Sequence, residues 1–159
     1  MCYARKKKFR IVLGTTATVG IFLLWVRLPD MRTRPPLNLG VQEGQLSVCP
    51  ESPNCVSSQA ADQRHAIGPL LFSGDGQAAL AKIQKILQGW PGVKITSQAS
   101  GFLRAEFTST LFRFVDDVEF VVVPNEGVIH FRSCSRVGYS DLGANRRRME
   151  SLRKKLNAL

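Results

Sequence analysis

The sequence predicts an α+β domain: an antiparallel sheet of about five strands with two helices on one face, in the order βαββββα, preceded by an N-terminal transmembrane helix. Three observations carry this reading. Apolar or alternating runs between Val93 and Ser135 are separated by turn residues. The stretches Asp75–Gln88 and Asp141–Leu159 repeat their apolar residues at helical spacing. Ile11–Val26 carries no charge, and Arg10 and Arg27 bound it.

The uncharged run covers roughly 24 Å as a helix, short of the hydrocarbon thickness of about 30 Å. Extending it to residues 9–28, with both arginines snorkelling outward, closes the gap. Trp25 lies near one end, where an amphipathic ring favours the membrane interface. A cleaved signal peptide and a soluble helix are the competing readings. The first lacks small residues at a cut site in Leu24-Trp25-Val26-Arg27-Leu28-Pro29, and the second would have to carry the Arg5–Arg10 basic cluster at its start. The sequence therefore favours an uncleaved signal-anchor at 9–28 behind a cytoplasmic basic segment at 1–8. Five basic residues precede the uncharged run Ile11–Val26 and Arg27, Arg32 and Arg34 follow it, which places the N-terminus in the cytoplasm. The remainder is then expected on the outer side of the inner (cytoplasmic) membrane, in the periplasm or an equivalent compartment.

Charge follows the same division. The chain of 159 residues has a formal charge of +10, but residues 1–27 contribute +6, residues 28–131 contribute −2 and residues 132–159 contribute +6. A nucleic-acid groove needs positive charge across the folded body, so this distribution argues against a nucleic-acid partner. On the last stretch Arg146-Arg147-Arg148 read mainly as a solvated basic face, with contact to anionic headgroups as the rarer use.

Residues 29–46 read as an irregular linker, broken by Pro35-Pro36, Gly40 and Gly44. An extracytoplasmic domain at 47–159 follows. Cys49 and Cys55 are spaced too widely for a redox CxxC motif, and Cys134, His65 and His130 are not at zinc-finger spacing. A disulfide is the natural pairing outside the cytoplasm, with free thiols and a metal as the alternatives. Cys134 falls in a strand, where a buried thiol is the ordinary reading. Ile67–Phe72 is the first predicted strand. Ser73 or Asp75 caps the helix that follows, and Gly89-Trp90-Pro91-Gly92 ends it. Strands at 93–97, 102–108, 115–123 and 128–135 complete the sheet, and Ser140 or Asp141 caps the final helix.

Alternation assigns the faces. Phe114, Val118, Phe120 and Val122 turn toward the helices with Asp116 among them, a carboxylate that must find a partner in Arg132–Arg148. The opposite face collects Arg104, Glu106, Asp117, Glu119, His130, Arg132 and Arg136. On an open sheet these are solvated cross-strand pairs. Gathered in a pocket, they bind an anion through the arginines or move a proton between His130 and a carboxylate. No nucleophile elbow, phosphate loop or paired metal-ligand motif is present, so no cofactor and no metal is expected.

Three blocks resemble a known family. They are Cys49-Pro50-Glu51-Ser52-Pro53-Asn54-Cys55-Val56-Ser57-Ser58, Val115-Asp116-Asp117-Val118-Glu119-Phe120, and the run Arg132-Ser133-Cys134-Ser135-Arg136-Val137-Gly138-Tyr139-Ser140-Asp141-Leu142-Gly143-Ala144-Asn145-Arg146. Together they are similar to the family catalogued as domain of unknown function 1499, over about residues 47–159. The resemblance implies a small bacterial or plastid protein with an N-terminal signal, lipid anchor or membrane segment, and no established activity, cofactor or catalytic residue. Cys134 departs from the pattern, where a small residue such as Ala is usual. The reading that results is a non-catalytic domain binding an envelope protein partner or a small anionic ligand. Its expected contacts are Asp116, Asp117, Arg132, Arg136, Tyr139, Asp141, Asn145 and Arg146. The alternative is a hydrolase-like enzyme using His130 with Asp117 or Glu119.

Overall fold

A computed structural model of the chain describes residues 34–158. The predicted anchor at 9–28 and the basic segment before it lie outside the described residues. Among the described residues no helix is long and apolar enough to cross a membrane.

The elements are β1 (Val41–Gln42), β2 (Gln45–Leu46), β3 (Cys55–Ser57), β4 (Leu70–Leu71), α1 (Gly76–Gln88), β5 (Val93–Ala99), β6 (Phe102–Thr108), β7 (Val115–Val123), β8 (Val128–Ser135) and α2 (Ala144–Asn157). Strands β5 to β8 form an antiparallel meander, and β3 and β4 both pair with the outer edge of β8. The sheet thus has six strands rather than about five. Its extra strand is β3, three residues long, buried and paired with β8, too short to show a period in the sequence. The segment expected to be an irregular linker contains a further two-stranded hairpin, β1–β2.

Both helices pack on one face, and the core between helices and sheet is continuous. Leu80, Ile83 and Leu87 of α1 and Met149 and Leu152 of α2 meet Leu103, Val118, Phe120, Ile129 and Phe131 of the strands. The cross-strand row Leu103–Phe120–Phe131 lies at its centre. Asp75 caps α1 as expected, accepting from the amides of Gln77 at 2.9 Å and Ala78 at 3.3 Å. Gly76 is required there, because a Cβ would collide with the Val122 side chain. The last helix starts at Ala144, later than the predicted Asp141, because Leu142 and Gly143 both take positive φ. Asp141 still serves its first turn, accepting from the Gly143 amide at 2.9 Å and the Asn145 amide at 2.7 Å.

Candidate functional site

The register gathers the polar face into two rows. Arg104, Glu119 and Arg132 lie side by side on β6, β7 and β8, and Glu106, Asp117, Cys134 and Cys55 form the adjacent row. Open-sheet solvation, the ordinary fate of such charges, is not what they meet. Asp117 is 1% exposed, Glu119 0% and Arg132 4%. Arg136, its side chain 2% exposed, forks onto Asp117 with Nε–Oδ2 and Nη2–Oδ1 distances of 2.8 Å and also reaches Glu106. Asp117, and after it Glu106, hold the guanidinium protonated well above its ordinary range. The chain around Gly40 crosses this face, and the Gly40 amide donates to Glu119 Oε1 at 2.5 Å. Glu119 Oε2 stands 3.6 Å from Arg132 Nη1, too long for a hydrogen bond, and among the described residues Glu119 Oε2 and Arg132 Nε have no hydrogen-bond partner.

Burial pushes the Glu119 carboxyl up from 4.5, against the Gly40 amide and the Arg132 charge. Because the folded form holds this proton more tightly than the unfolded chain, stability falls as pH rises from 4.5 through the higher folded value. Glu119→Gln removes that slope. Urea melts across the weakly acidic range are expected to show the wild type losing stability relative to Glu119→Gln as pH rises, and a constant difference would contradict it.

The other predicted carboxylate, Asp116, faces the helices. Its partner is Arg148, with Nη2–Oδ2 at 2.6 Å. The same guanidinium donates through Nη1 to Asn145 Oδ1 at 2.6 Å and lies 4.4 Å from the centre of the Phe107 ring. Asn145, fully buried, ties three segments together. It accepts from Ser133 Oγ at 2.6 Å and donates to Asn54 O at 3.0 Å and Ser135 Oγ at 3.1 Å.

The eight residues expected to bind a ligand are thus not gathered in one place. Asp117, Arg132 and Arg136 lie in the covered polar rows, while Asp116 and Asn145 pin the start of α2 to the opposite side of the sheet and Asp141 caps its first turn. Tyr139 is 72% exposed, and Arg146 reaches the Arg64 carbonyl at 3.0 Å. His130 is set against Ser58 Oγ at 3.0 Å through Nδ1 and Glu126 Oε2 at 3.8 Å through Nε2; its contacts are with these two residues rather than with Asp117 or Glu119. Ser58 is committed to the main chain: its Oγ accepts from the Phe131 amide at 2.8 Å and donates to the Phe131 carbonyl at 3.3 Å.

One open concavity lies elsewhere. An opening of about 500 Å³ is lined by Trp90, Pro91, Phe107, Arg147, Arg148 and Lys155, between the end of α1 and the outer side of α2. Trp90 stands edge-on to Phe107 at 5.8 Å, and Lys155 Nζ lies 5.7 Å from the Trp90 ring. Arg148 is neutralised by Asp116, so Arg147 and Lys155, both exposed, supply the free positive charge. The sequence presents Trp90 only as part of a helix stop and the basic residues mainly as a solvated face, with anionic headgroups as the rarer contact. The signal was the proximity of a bulky aromatic to a helix end, which has no meaning until α2 is placed beside it. Among the described residues no group of three or more His, Cys, Asp and Glu side chains is arranged to hold a metal ion.

The disulfide joins Cys49 to Cys55 with a Cα–Cα distance of 5.7 Å. Closing so short a loop stabilises the fold by about 2 kcal/mol. Cys134 is a buried free thiol, and burial pushes its pKa up.

A family model described as a protein of unknown function (DUF1499) matches residues 45–156. The chain belongs to the DUF1499 family. The DUF1499 match opens in β2 and closes in the last turn of α2, so it contains the disulfide, both polar rows and the Asn145 cluster. No curated protein and no solved structure matches this DUF1499 chain.

Proposed function

We propose that this protein is a membrane-anchored, non-catalytic binding domain of the cell envelope, taking a small anionic ligand with an apolar or aromatic body in the Trp90–Phe107 opening. The observation that carries the reading is the pairing of two aromatic rings with the exposed charges of Arg147, which donates to the Leu142 carbonyl at 2.7 Å, and Lys155 around one concavity. Rings of this kind supply contact area, and flanking cations supply the preference for an anion. The buried Arg136–Asp117 and Arg148–Asp116 pairs are satisfied within themselves and hold the fold instead. The uncharged run Ile11–Val26, with more basic residues before it than after it, supports reading 9–28 as the anchor, with the N-terminus in the cytoplasm and the domain on the outer face.

Titration calorimetry of the full chain in zwitterionic nanodiscs, with 1-naphthyl phosphate as ligand and 1-naphthol as neutral control, tests it. Saturable binding of the phosphate ester alone is expected, weakened about tenfold or more, some 1.4 kcal/mol, by Arg147→Glu/Lys155→Glu. Equal binding of the neutral compound, or indifference to the charge reversal, would sink the reading. A phosphatase fused after Leu28 is expected to be active outside the cytoplasm; activity only inside would overturn the topology.

A further inference from the structure

Three of the four cysteines of the sequence converge on one position in the sheet. Cys55 on β3 lies directly opposite Cys134 on β8. The neighbouring hydrogen bonds fix what kind of pair this is. The Ser135 amide donates to Asn54 O at 3.0 Å and the Ser58 amide donates to Phe131 O at 2.9 Å. Bonded and non-bonded pairs alternate along an antiparallel ladder, so 54/135 and 58/131 are bonded and 55/134 is not. In a non-bonded pair the Cα atoms stand about 4.5 Å apart with both side chains on the same face, inside the span of about 4.4–6.8 Å that a disulfide bridges. Cys55 therefore has its bonded partner Cys49 on one side and a free thiol in bridging position on the other.

We propose that Cys49, Cys55 and Cys134 form an internal thiol–disulfide exchange site that moves the free thiol from the core to the surface. The Cys134 thiolate attacks Cys55 Sγ, the Cys134–Cys55 bond forms, and the Cys55–Cys49 bond breaks. Cys49 leaves as a thiolate and takes up the proton that Cys134 lost. One disulfide and one thiol exist before and after, so no oxidant or reductant is consumed.

The two ends of the exchange differ in the way that gives it direction. Cys134 and Cys55 are buried, 7% and 2% exposed, whereas Cys49 is half-buried and lines an opening of about 390 Å³. A thiolate leaving at Cys49 is solvated there, with Arg64 as the cationic group of the opening, Glu51 and Asp62 as its acidic ones, and the His65 ring beside them. Asp62 Oδ2 lies 2.9 Å from His65 Nδ1 and Ser52 O lies 3.1 Å from Nε2, so acceptors face both ring nitrogens. The attacking side is held back. Burial raises the Cys134 thiol, with Asp116, Asp117 and Asp141 adding to the effect and Arg132 opposing it, which keeps the thiolate scarce and the exchange slow near neutrality. In the exchanged form Cys49 is a surface thiol, able to take a partner's disulfide into a mixed disulfide with release of the partner's thiolate.

The test uses the full chain carrying Cys2→Ser, purified oxidised and held at mildly alkaline pH without reductant. Samples are alkylated, quenched and mapped as non-reduced peptides. A peptide pair linked through Cys55 and Cys134 is expected to grow with time, with alkylation appearing at Cys49, and both are expected to be lost in Cys134→Ala. The rate is expected to be the same at all protein concentrations. A second variant, Cys49→Ser, is expected to form the Cys55–Cys134 bond when given oxidised glutathione. Absence of the linked pair in the first experiment, growth that scales with protein concentration, or free Cys55 and Cys134 in oxidised Cys49→Ser would each overturn the proposal.

Discussion

Arg136→Met is expected to cost about 3–5 kcal/mol of folding stability, the range for removing one partner of a buried ion pair. The size follows from what stays behind. Asp117 is 1% exposed and receives two of the guanidinium's N–H groups, and Glu106 receives another. Methionine fills much of the volume but leaves two carboxylates facing each other on neighbouring strands, in register, with their shared cation gone. The reverse logic supplies the control. Replacing all three by apolar residues, Arg136→Met/Asp117→Leu/Glu106→Leu, removes the stranded charges together with the pair and is expected to recover most of the loss. Urea midpoints at constant slope decide between these outcomes. A single-variant loss below about 1 kcal/mol would mean that the pair is solvated like an ordinary surface bridge.

Asn145→Ala is expected to cost about 3 kcal/mol, because several buried groups lose a partner at once and each such loss is worth about 1–3 kcal/mol. The side chain bonds Ser133 Oγ, Ser135 Oγ, Asn54 O and Arg148 Nη1. Those atoms belong to β8, to the loop beside the disulfide, and to α2 itself, so the loss has a regional signature. Amide exchange is expected to speed up first in the opening turns of α2 and around Asn54, before the β6–β7 ladder responds. Uniform acceleration across the domain would show that Asn145 adds to global stability without clamping that corner. Arg148 connects this prediction to the Asp116 pair, so Asn145→Ala and Asp116→Ala are expected to be non-additive in a double-mutant cycle.

The elements that the sequence predicted well are those with a long, local pattern. β5 through β8 run seven to nine residues each, and alternation over that length identifies both the strand and its faces. The same pattern placed Asp116 among the helix-facing residues and required a partner for it. What it did not reveal was that Arg148 would be that partner, because the choice among several arginines depends on how α2 turns after the positive-φ pair Leu142–Gly143. Strand β3 has three residues and carries no period of its own, and of the predicted strand Ile67–Phe72 only Leu70–Leu71 is β4; both pair where β8 offers an edge. The linker was read as irregular for its prolines and glycines, yet the chain around Gly40 reaches Glu119, 79 residues away.

The candidate site shows the same division. The sequence by itself determined the α+β class, the order of the long elements, the pairing of Cys49 with Cys55 as the natural disulfide, and the set of charges that share one sheet face. Each of these is written in neighbouring residues, through period, spacing or composition. The tertiary structure alone decided that Asp117, Glu119 and Arg132 are covered, that the opening gathers Trp90, Phe107, Arg147 and Lys155 instead, and that Cys55 stands across from Cys134. Each of these depends on which distant segment docks where. Burial and register are properties of pairs of segments, and a one-dimensional pattern specifies a face without specifying what comes to lie against it.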